Sequence, residues 1–183
     1  MALTVVQPGV GGTGNTNLTY PSTGGTVMVS GNMPAFSAYY NGSQITYSAA
    51  TWTKLTLNAE DYDTANCFDS TTNYRFTPTV AGYYQISLTI SAAQNGSTTN
   101  GNNLAIYKNG SIYKGFTNVS ITGQYYGTTI SLIMYMNGST DYVEGYTYMA
   151  GSAGGQYFGS TFTNFGGVGS NQTVMTGCLV RTA

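Results

Sequence analysis

The sequence predicts an all-β protein, an antiparallel jelly-roll sandwich preceded by an extended N-terminal arm, and three observations lead to this class. Apolar and polar residues alternate with a period of two, and apolar residues at helical spacing are not found. Thr, Tyr, Val and Ile, which favour strands, dominate the chain. Glycines recur at short intervals, as expected when many short strands are joined by turns.

The sequence predicts an extended docking arm over residues 1–32 and a jelly-roll domain, called the head, over residues 33–183. The arm contains no charged residue and little apolar bulk. It cannot fold alone, because ordering each backbone residue costs roughly 1–2 kcal/mol. Its Thr/Val stretches, "LTVVQP" and "GTVMVS", can add as strands to the sheet edge of a neighbour. Gly11, Gly12 and Gly14 allow tight bends between such stretches.

The strands of the head follow from the alternation and from the turn signals between them. Strands are predicted over residues 34–40, 44–57, 72–77, 82–93, 103–109, 111–120, 128–137, 141–149 and 173–181. Residues 150–171 are rich in glycine and predict a long loop. In the two clearest strands, alternate side chains are predicted to face the core: Tyr84, Ile86, Leu88 and Ile90, and Ile130, Leu132, Met134 and Met136.

The stretch "LAIYKNGSIYKGF" predicts a β-hairpin. Asn109-Gly110 suits a type I′ turn, in which both central residues have positive φ. In that register Tyr107 would pair with Ile112, and Ile106 with Tyr113, an aromatic against a β-branched residue each time.

The charge content excludes several kinds of partner. Charged residues make up 6% of the chain, against roughly 25% in ordinary globular proteins. The five basic residues are scattered, so nucleic-acid binding is not expected. No apolar run is long enough to insert in a membrane, and no basic segment precedes an apolar one as in an export signal. The sequence leaves open whether Cys67 and Cys178 form a disulfide, and two free thiols are the preferred interpretation.

The sequence does not predict an enzyme. It contains no histidine, which removes the common nucleophilic triads and most zinc sites. No cofactor is expected. The stretch "NAEDYDTANCFD" gathers four of the six acids, and hard cations such as calcium are held by several carboxylate and carbonyl oxygens. The alternative, which is preferred, is a mobile acidic turn, since the spacing matches no calcium loop.

Aromatic residues in predicted glycine-rich loops at the ends of the barrel are candidate ligand-binding residues, because flat rings near amides and hydroxyls hold small polar molecules such as sugars. An equally weighted alternative is that some of these rings cap the barrel or fill a trimer axis. The candidates are Tyr125, Tyr126, Tyr146, Tyr148, Tyr157 and Phe158.

Five segments in order resemble the globular head of the complement-1q family, within the tumour-necrosis-factor-like jelly rolls. They are "PAFSAY" (34–39), "FDSTTNYRFTPTVAGYYQI" (68–86), "LAIYKNG" (104–110), "LIMYMNGSTDYVEG" (132–145) and "MTGCLVR" (175–181). The resemblance covers about residues 33–183. Because some heads of this family bind calcium, the resemblance also makes Asp61, Asp63 and Asp69 candidate calcium ligands. Met175 and Cys178 replace two aromatics of the family's final strand, and the collagen repeat of the animal proteins is absent.

The segment "GGTGNT" resembles one that is common in bacteriophage fibre proteins. The two resemblances imply a homotrimeric virion protein, a tail fibre or a capsid or tail decoration, whose head is exposed for host adhesion. The arm would bind another virion protein, and the head a host glycan or protein. The sequence leaves open the position on the particle. The alternative is a free bacterial lectin-like adhesin or ligand.

A trimer requires an outward face that meets partner chains. If a sheet containing 82–93, 128–137 and 173–181 buries its inner face in the core, its other face carries Tyr83, Gln85, Ile133 and Tyr135 towards the threefold axis. These four residues are the predicted trimer interface, since an outward Ile is poorly explained in a monomer.

Overall fold

A computed structural model describes residues 33–47, 50–93, 102–118, 125–149, 155–158 and 173–183. The predicted docking arm, residues 1–32, lies outside the described residues. Within the described ranges every regular element is a β-strand, so no helix there could span a membrane.

In the described part of the chain, thirteen strands form two antiparallel sheets. Sheet A contains seven strands: β1 (Ala35–Tyr39), β2 (Gln44–Tyr47), β4 (Ala59–Asp63), β7 (Gly82–Ala93), β10 (Tyr125–Met136), β12 (Gly155–Phe158) and β13 (Val174–Thr182). Sheet B contains six: β3 (Trp52–Lys54), β5 (Phe68–Asp69), β6 (Arg75–Phe76), β8 (Asn102–Lys108), β9 (Ser111–Asn118) and β11 (Val143–Met149). In sheet A the order is β2-β12-β7-β13-β1-β4, and β10 pairs with β7. In sheet B the order is β5-β6-β11-β8-β9, and β3 pairs with β11.

The core lies between the two sheets, as the alternation predicted. The predicted inward face of β7 is confirmed, because Tyr84, Ile86, Leu88 and Ile90 have no exposed surface. In β10, Met134 and Met136 are buried, whereas Ile130 and Leu132 are partly buried and pack against the core. Leu104, Ile106 and Val143 of sheet B complete the other side. Burial of this kind is the main favourable contribution to folding.

The region predicted as one strand, 44–57, is two strands in different sheets. β2 pairs with β12 in sheet A, and β3 pairs with β11 in sheet B. The chain changes direction before β3, where Ala50 has a φ of 53°. The alternation continues on both sides of this break, so a period of two could not reveal it.

Two further strand predictions were wrong. β4 was not predicted, because its sequence, "AEDYD", is acidic, but it pairs along the edge of β1. β12 lies inside the predicted loop 150–171 and bridges β2 and β7. The remainder of that loop lies outside the described residues. These two segments are strands because their backbone groups form hydrogen bonds with neighbouring strands, and their side-chain pattern does not predict this pairing.

The predicted hairpin turn and its first residue pair are confirmed, but the second predicted residue pair is wrong. Asn109 and Gly110 have φ values of 52° and 78°, as a type I′ turn requires. Tyr107 pairs with Ile112 as predicted. A bulge then shifts the register, so that Ile106 faces Lys114 rather than Tyr113.

Both cysteines are free, Cys67 buried and Cys178 exposed.

Gly177 of β13 leaves the space that Phe36 occupies in the core. It pairs with Phe36 on one side and with Ile86 on the other. A Cβ at Gly177 would lie 2.5 Å from Phe36 Cε1 and 2.8 Å from Ile86 Cδ1. The Phe36 ring is itself held between Phe68 and Phe76, at centroid distances of 5.1 and 4.4 Å.

We therefore expect Gly177→Val to lower the free energy of unfolding by about 1–3 kcal/mol, as overpacking of a filled core does. Urea denaturation at fixed protein concentration measures this change. Gly127→Val in β10 is the matched control, because its Cβ would meet nothing nearer than the Ile90 carbonyl oxygen at 3.8 Å. Equal stability of the two variants would show that the Phe36 site is not tightly packed.

Candidate functional site

The four residues predicted for a trimer interface lie together on the face of sheet A that points away from the core. We call this group, Tyr83, Gln85, Ile133 and Tyr135, the apolar face. Tyr83 is paired with Tyr135, and Gln85 with Ile133, across β7 and β10. The two tyrosine rings lie 5.6 Å apart. Ile133 is 55% exposed and Tyr135 41% exposed in the single chain.

The surroundings of the apolar face hold its rings in place. The Arg181 guanidinium lies 5.0 Å from the Tyr83 ring, and the Gln85 amide donates to Ser131 Oγ at 2.7 Å. Val180 of β13 is also exposed, at 49%. Sequence reasoning did not name Val180, although alternation with the buried Met175, Gly177 and Leu179 places it on the outward face.

The structure does not bring the candidate calcium ligands together. Asp61 accepts a hydrogen bond from Ser37 Oγ, and Asp63 accepts from the backbone N–H of Phe68. Asp69 accepts from the backbone N–H groups of Thr71 and Thr72, which hold its pKa far below the usual range. Among the described residues, no three His, Cys, Asp or Glu side chains form a group that could hold a metal. Calcium binding stays an untested prediction.

An open cavity of about 550 Å³ lies beside these acids, lined mainly by polar groups. Two of its charged residues, Asp69 and Arg75, have partners in the protein. Asp69 is held by the turn that follows it, and the Arg75 guanidinium lies 4.3 Å from the centre of the Tyr142 ring. Asp69 therefore stabilises the loop between β5 and β6, and Arg75 packs against Tyr142.

The six candidate ligand-binding aromatics all lie in strands rather than in loops. Tyr125 and Tyr126 begin β10, Tyr146 and Tyr148 lie in β11, and Tyr157 and Phe158 end β12. The side chains of Tyr125, Tyr126, Tyr157 and Phe158 lie outside the described parts of the chain. Tyr146 and Tyr148 are described, and both point away from the core on sheet B.

Tyr146 and Tyr148 belong to a cluster of four rings, which we call the aromatic platform: Trp52, Tyr107, Tyr146 and Tyr148. Trp52 lies 5.4 Å from Tyr148 and 6.0 Å from Tyr107, measured between ring centres. Tyr107 and Tyr146 are stacked at 3.8 Å. All four side chains are partly exposed. Three strands, β3, β8 and β11, supply one or two rings each.

An ion pair borders the aromatic platform. Lys54 Nζ donates to the Glu144 carboxylate, whose side chain is only 7% exposed. Burial raises the pKa of Tyr107, and burial together with the Glu144 charge raises that of Tyr146. Both phenols therefore stay neutral and keep a hydroxyl that can donate or accept.

Sequence reasoning missed Trp52 and Tyr107. A signal existed for Trp52, because alternation places it on the same face of β3 as Lys54, and it is the single tryptophan of the chain. The approach of β3 to β11 is a tertiary contact that alternation does not encode.

Comparison with known proteins supports the fold. No family model matches the sequence, and no curated protein matches it. The solved globular domain of the zebrafish complement 1qA protein matches with a TM-score of 0.56 and 19% identity, covering 82% of this chain and 99% of that chain. A tumour-necrosis-factor protein, Eiger from S. frugiperda, matches with a TM-score of 0.55 and 7% identity, covering 82% and 93%.

The head is a complement-1q/tumour-necrosis-factor-like jelly roll. The vertex protein P5 of PRD1 also matches, with a TM-score of 0.49 and 20% identity, covering 82% of this chain and 97% of that chain. In this jelly-roll head the apolar face lies on sheet A, and the aromatic platform lies on sheet B. The head thus presents two separate surfaces.

Proposed function

We propose that this chain is a structural protein of a bacteriophage virion, a fibre or a capsid or tail decoration protein, that assembles as a homotrimer. Its jelly-roll head is exposed on the particle and contacts the host surface. The observation that carries the proposal is the apolar face, because exposed apolar residues grouped on one face support an interface with partner chains.

The apolar face does not belong to the core of the single chain. The opposite side of β7 and β10 already forms the core, so Ile133 and the two tyrosine rings contribute nothing to it. Exposed apolar patches of this kind mark interaction surfaces. A permanent oligomer interface buries on the order of 2,000 Å² or more. Closed rotational symmetry lets the same face of each chain meet its copies around one axis.

The N-terminal arm is the reason for proposing a virion rather than a free protein. Its segment "GGTGNT" resembles one in phage fibre proteins, and the arm carries no charge. A charge buried against a partner would have to be desolvated and paired, so an uncharged arm suits docking. We propose that residues 1–32 attach the trimer to another virion protein, by adding strands to its sheet edge.

The proposed role is binding rather than catalysis. The chain contains no histidine, and the carboxylates at Asp61, Asp63 and Asp69 are used by neighbouring turns and hydroxyls. The solvent-facing surfaces that combine rings with polar groups are suited to holding a partner without changing it.

Deletion of residues 1–31 tests the docking role. We expect the truncated protein to remain a folded trimer and to be lost from purified particles, because the head keeps its core and its apolar face. Mass spectrometry of particles assembled with each variant measures incorporation. Circular dichroism and light scattering measure folding and mass.

A variant whose first 31 residues are shuffled, with the same composition, is the matched control for arm length. It is also expected to be missing from particles. Incorporation of the truncated protein would contradict the docking role. If the full-length protein is absent from particles and found free in the medium, the virion assignment is wrong.

A further inference from the structure

We propose that the aromatic platform binds a neutral carbohydrate. The inference rests on the proposed function for its setting, the host surface, and it gives that contact a chemical class. The site comprises Trp52, Tyr107, Tyr146 and Tyr148, with Asn103, Lys54 and Glu144 at its border.

The rings offer a continuous apolar area that water does not solvate well. Trp52 contacts rings on both sides, and Tyr107 stacks on Tyr146, so the four rings adjoin across three strands. Sheet geometry keeps these side chains on one face, which makes the area largely preformed. The C–H face of a pyranose ring is apolar and flat, and it packs on such rings while its hydroxyls reach polar groups at the border.

Asn103 supplies an acceptor that lacks a donor in the protein. It lies directly opposite Tyr148 in the pairing of β8 with β11, so its side chain is on the same face as the platform. Its side-chain oxygen is buried and has no hydrogen-bond partner. Buried acceptors without a donor are rare and unfavourable. A sugar hydroxyl would supply the missing hydrogen bond.

The charges at the border favour a neutral ligand over a charged one. Lys54 and Glu144 pair with each other, so the pair carries no net charge. Lys54 is directly opposite Tyr146 and would repel a quaternary ammonium group, although aromatic rings attract such cations. Glu144 is opposite Tyr107 and already accepts from Lys54, so the pair leaves no unpaired cation to attract an acidic sugar. A hydroxyl-rich ligand without charge avoids both disadvantages.

The single tryptophan provides a direct measurement, since Trp52 lies in the proposed site. The full-length protein is titrated with linear oligosaccharides of glucose, of galactose and of N-acetylglucosamine, with choline and with sialyllactose. At least one neutral oligosaccharide is expected to change the Trp52 emission with saturation at millimolar concentration. Choline and sialyllactose are expected to cause no saturable change. A saturable response to either of these alone, or no response to any neutral sugar, would overturn the proposal.

Two variants assign the binding to the site, and both keep the reporter tryptophan. Tyr148→Ala and Asn103→Leu are each expected to weaken the affinity about tenfold, through a lost ring contact and a lost hydrogen bond. Tyr62→Ala is the matched control, because Tyr62 is 50% exposed on β4 of sheet A. Unchanged affinity in both variants would overturn the proposal. Trimer mass and particle incorporation do not involve the platform, so they test the proposed function separately.

Discussion

Replacing Ile133 by glutamate is expected to convert the proposed trimer into monomers. Ile133 is the most exposed residue of the apolar face, and it lies beside Gln85 and two residues from Tyr135. In the proposed trimer it is buried against partner chains. A carboxylate there would lack a cationic partner, and an unpaired buried charge costs about 3–5 kcal/mol in each subunit. Three copies near one axis would also repel one another.

Light scattering at micromolar concentration measures the outcome. The chain has a mass of 19.3 kDa, so the variant is expected at that mass and the original protein at three times that mass. Ile112→Glu is the matched control, because Ile112 is 51% exposed but lies on β9 of sheet B. It is expected to remain trimeric. A monomeric original protein, or a trimeric Ile133→Glu variant, would contradict the assignment of the apolar face.

Replacing Asp141 by alanine is expected to lower the free energy of unfolding by about 3–5 kcal/mol, as loss of one partner of a buried ion pair does. The Asp141 carboxylate accepts from Lys108 Nζ at 2.8 Å, from Asn109 Nδ2 at 2.8 Å and from the Asn137 backbone N–H at 3.0 Å. It thereby joins the end of β8, the hairpin turn and the turn after β10. Without it, these donors lose their shared acceptor.

Urea denaturation at one protein concentration measures this loss, because oligomer stability depends on concentration. Asp61→Ala is the control, since Asp61 is exposed and accepts one hydrogen bond, from Ser37. We expect that control to lose about 1 kcal/mol or less. Equal losses in the two variants would show that Asp141 does not connect the three segments.

The contribution of Asp141 to the free energy of unfolding is also expected to depend on pH. Burial acts to raise the pKa of this carboxyl, but the hydrogen bonds from Asn109, Lys108 and Asn137 and the Lys108 charge lower it overall, below 3.8. A group whose pKa is lower in the folded state stabilises above its unfolded pKa and loses that contribution as the pH falls further. The stability difference between the original protein and Asp141→Ala is therefore expected to shrink below pH 3.8. A difference that stays constant to lower pH would contradict this interpretation.

The sequence by itself determined the features that depend on alternation and on local turn chemistry. Tyr84, Ile86, Leu88 and Ile90 face the core because a strand directs alternate side chains to opposite sides. The same rule places Ile133 outward. The Asn109-Gly110 turn was also determined locally, because few residue pairs accept positive φ at both positions.

Only the tertiary structure decided which strands meet. The acidic segment of β4 and the glycine-rich segment of β12 become strands because β1, β2 and β7 offer them backbone partners. The aromatic platform exists because β3 pairs with β11, which follows it by about 90 residues in the chain. Alternation specifies which side a residue faces, but it carries no information about the neighbouring strand. Pairing is chosen by the packing of the whole sandwich, so sites assembled across strands emerge only in the folded chain.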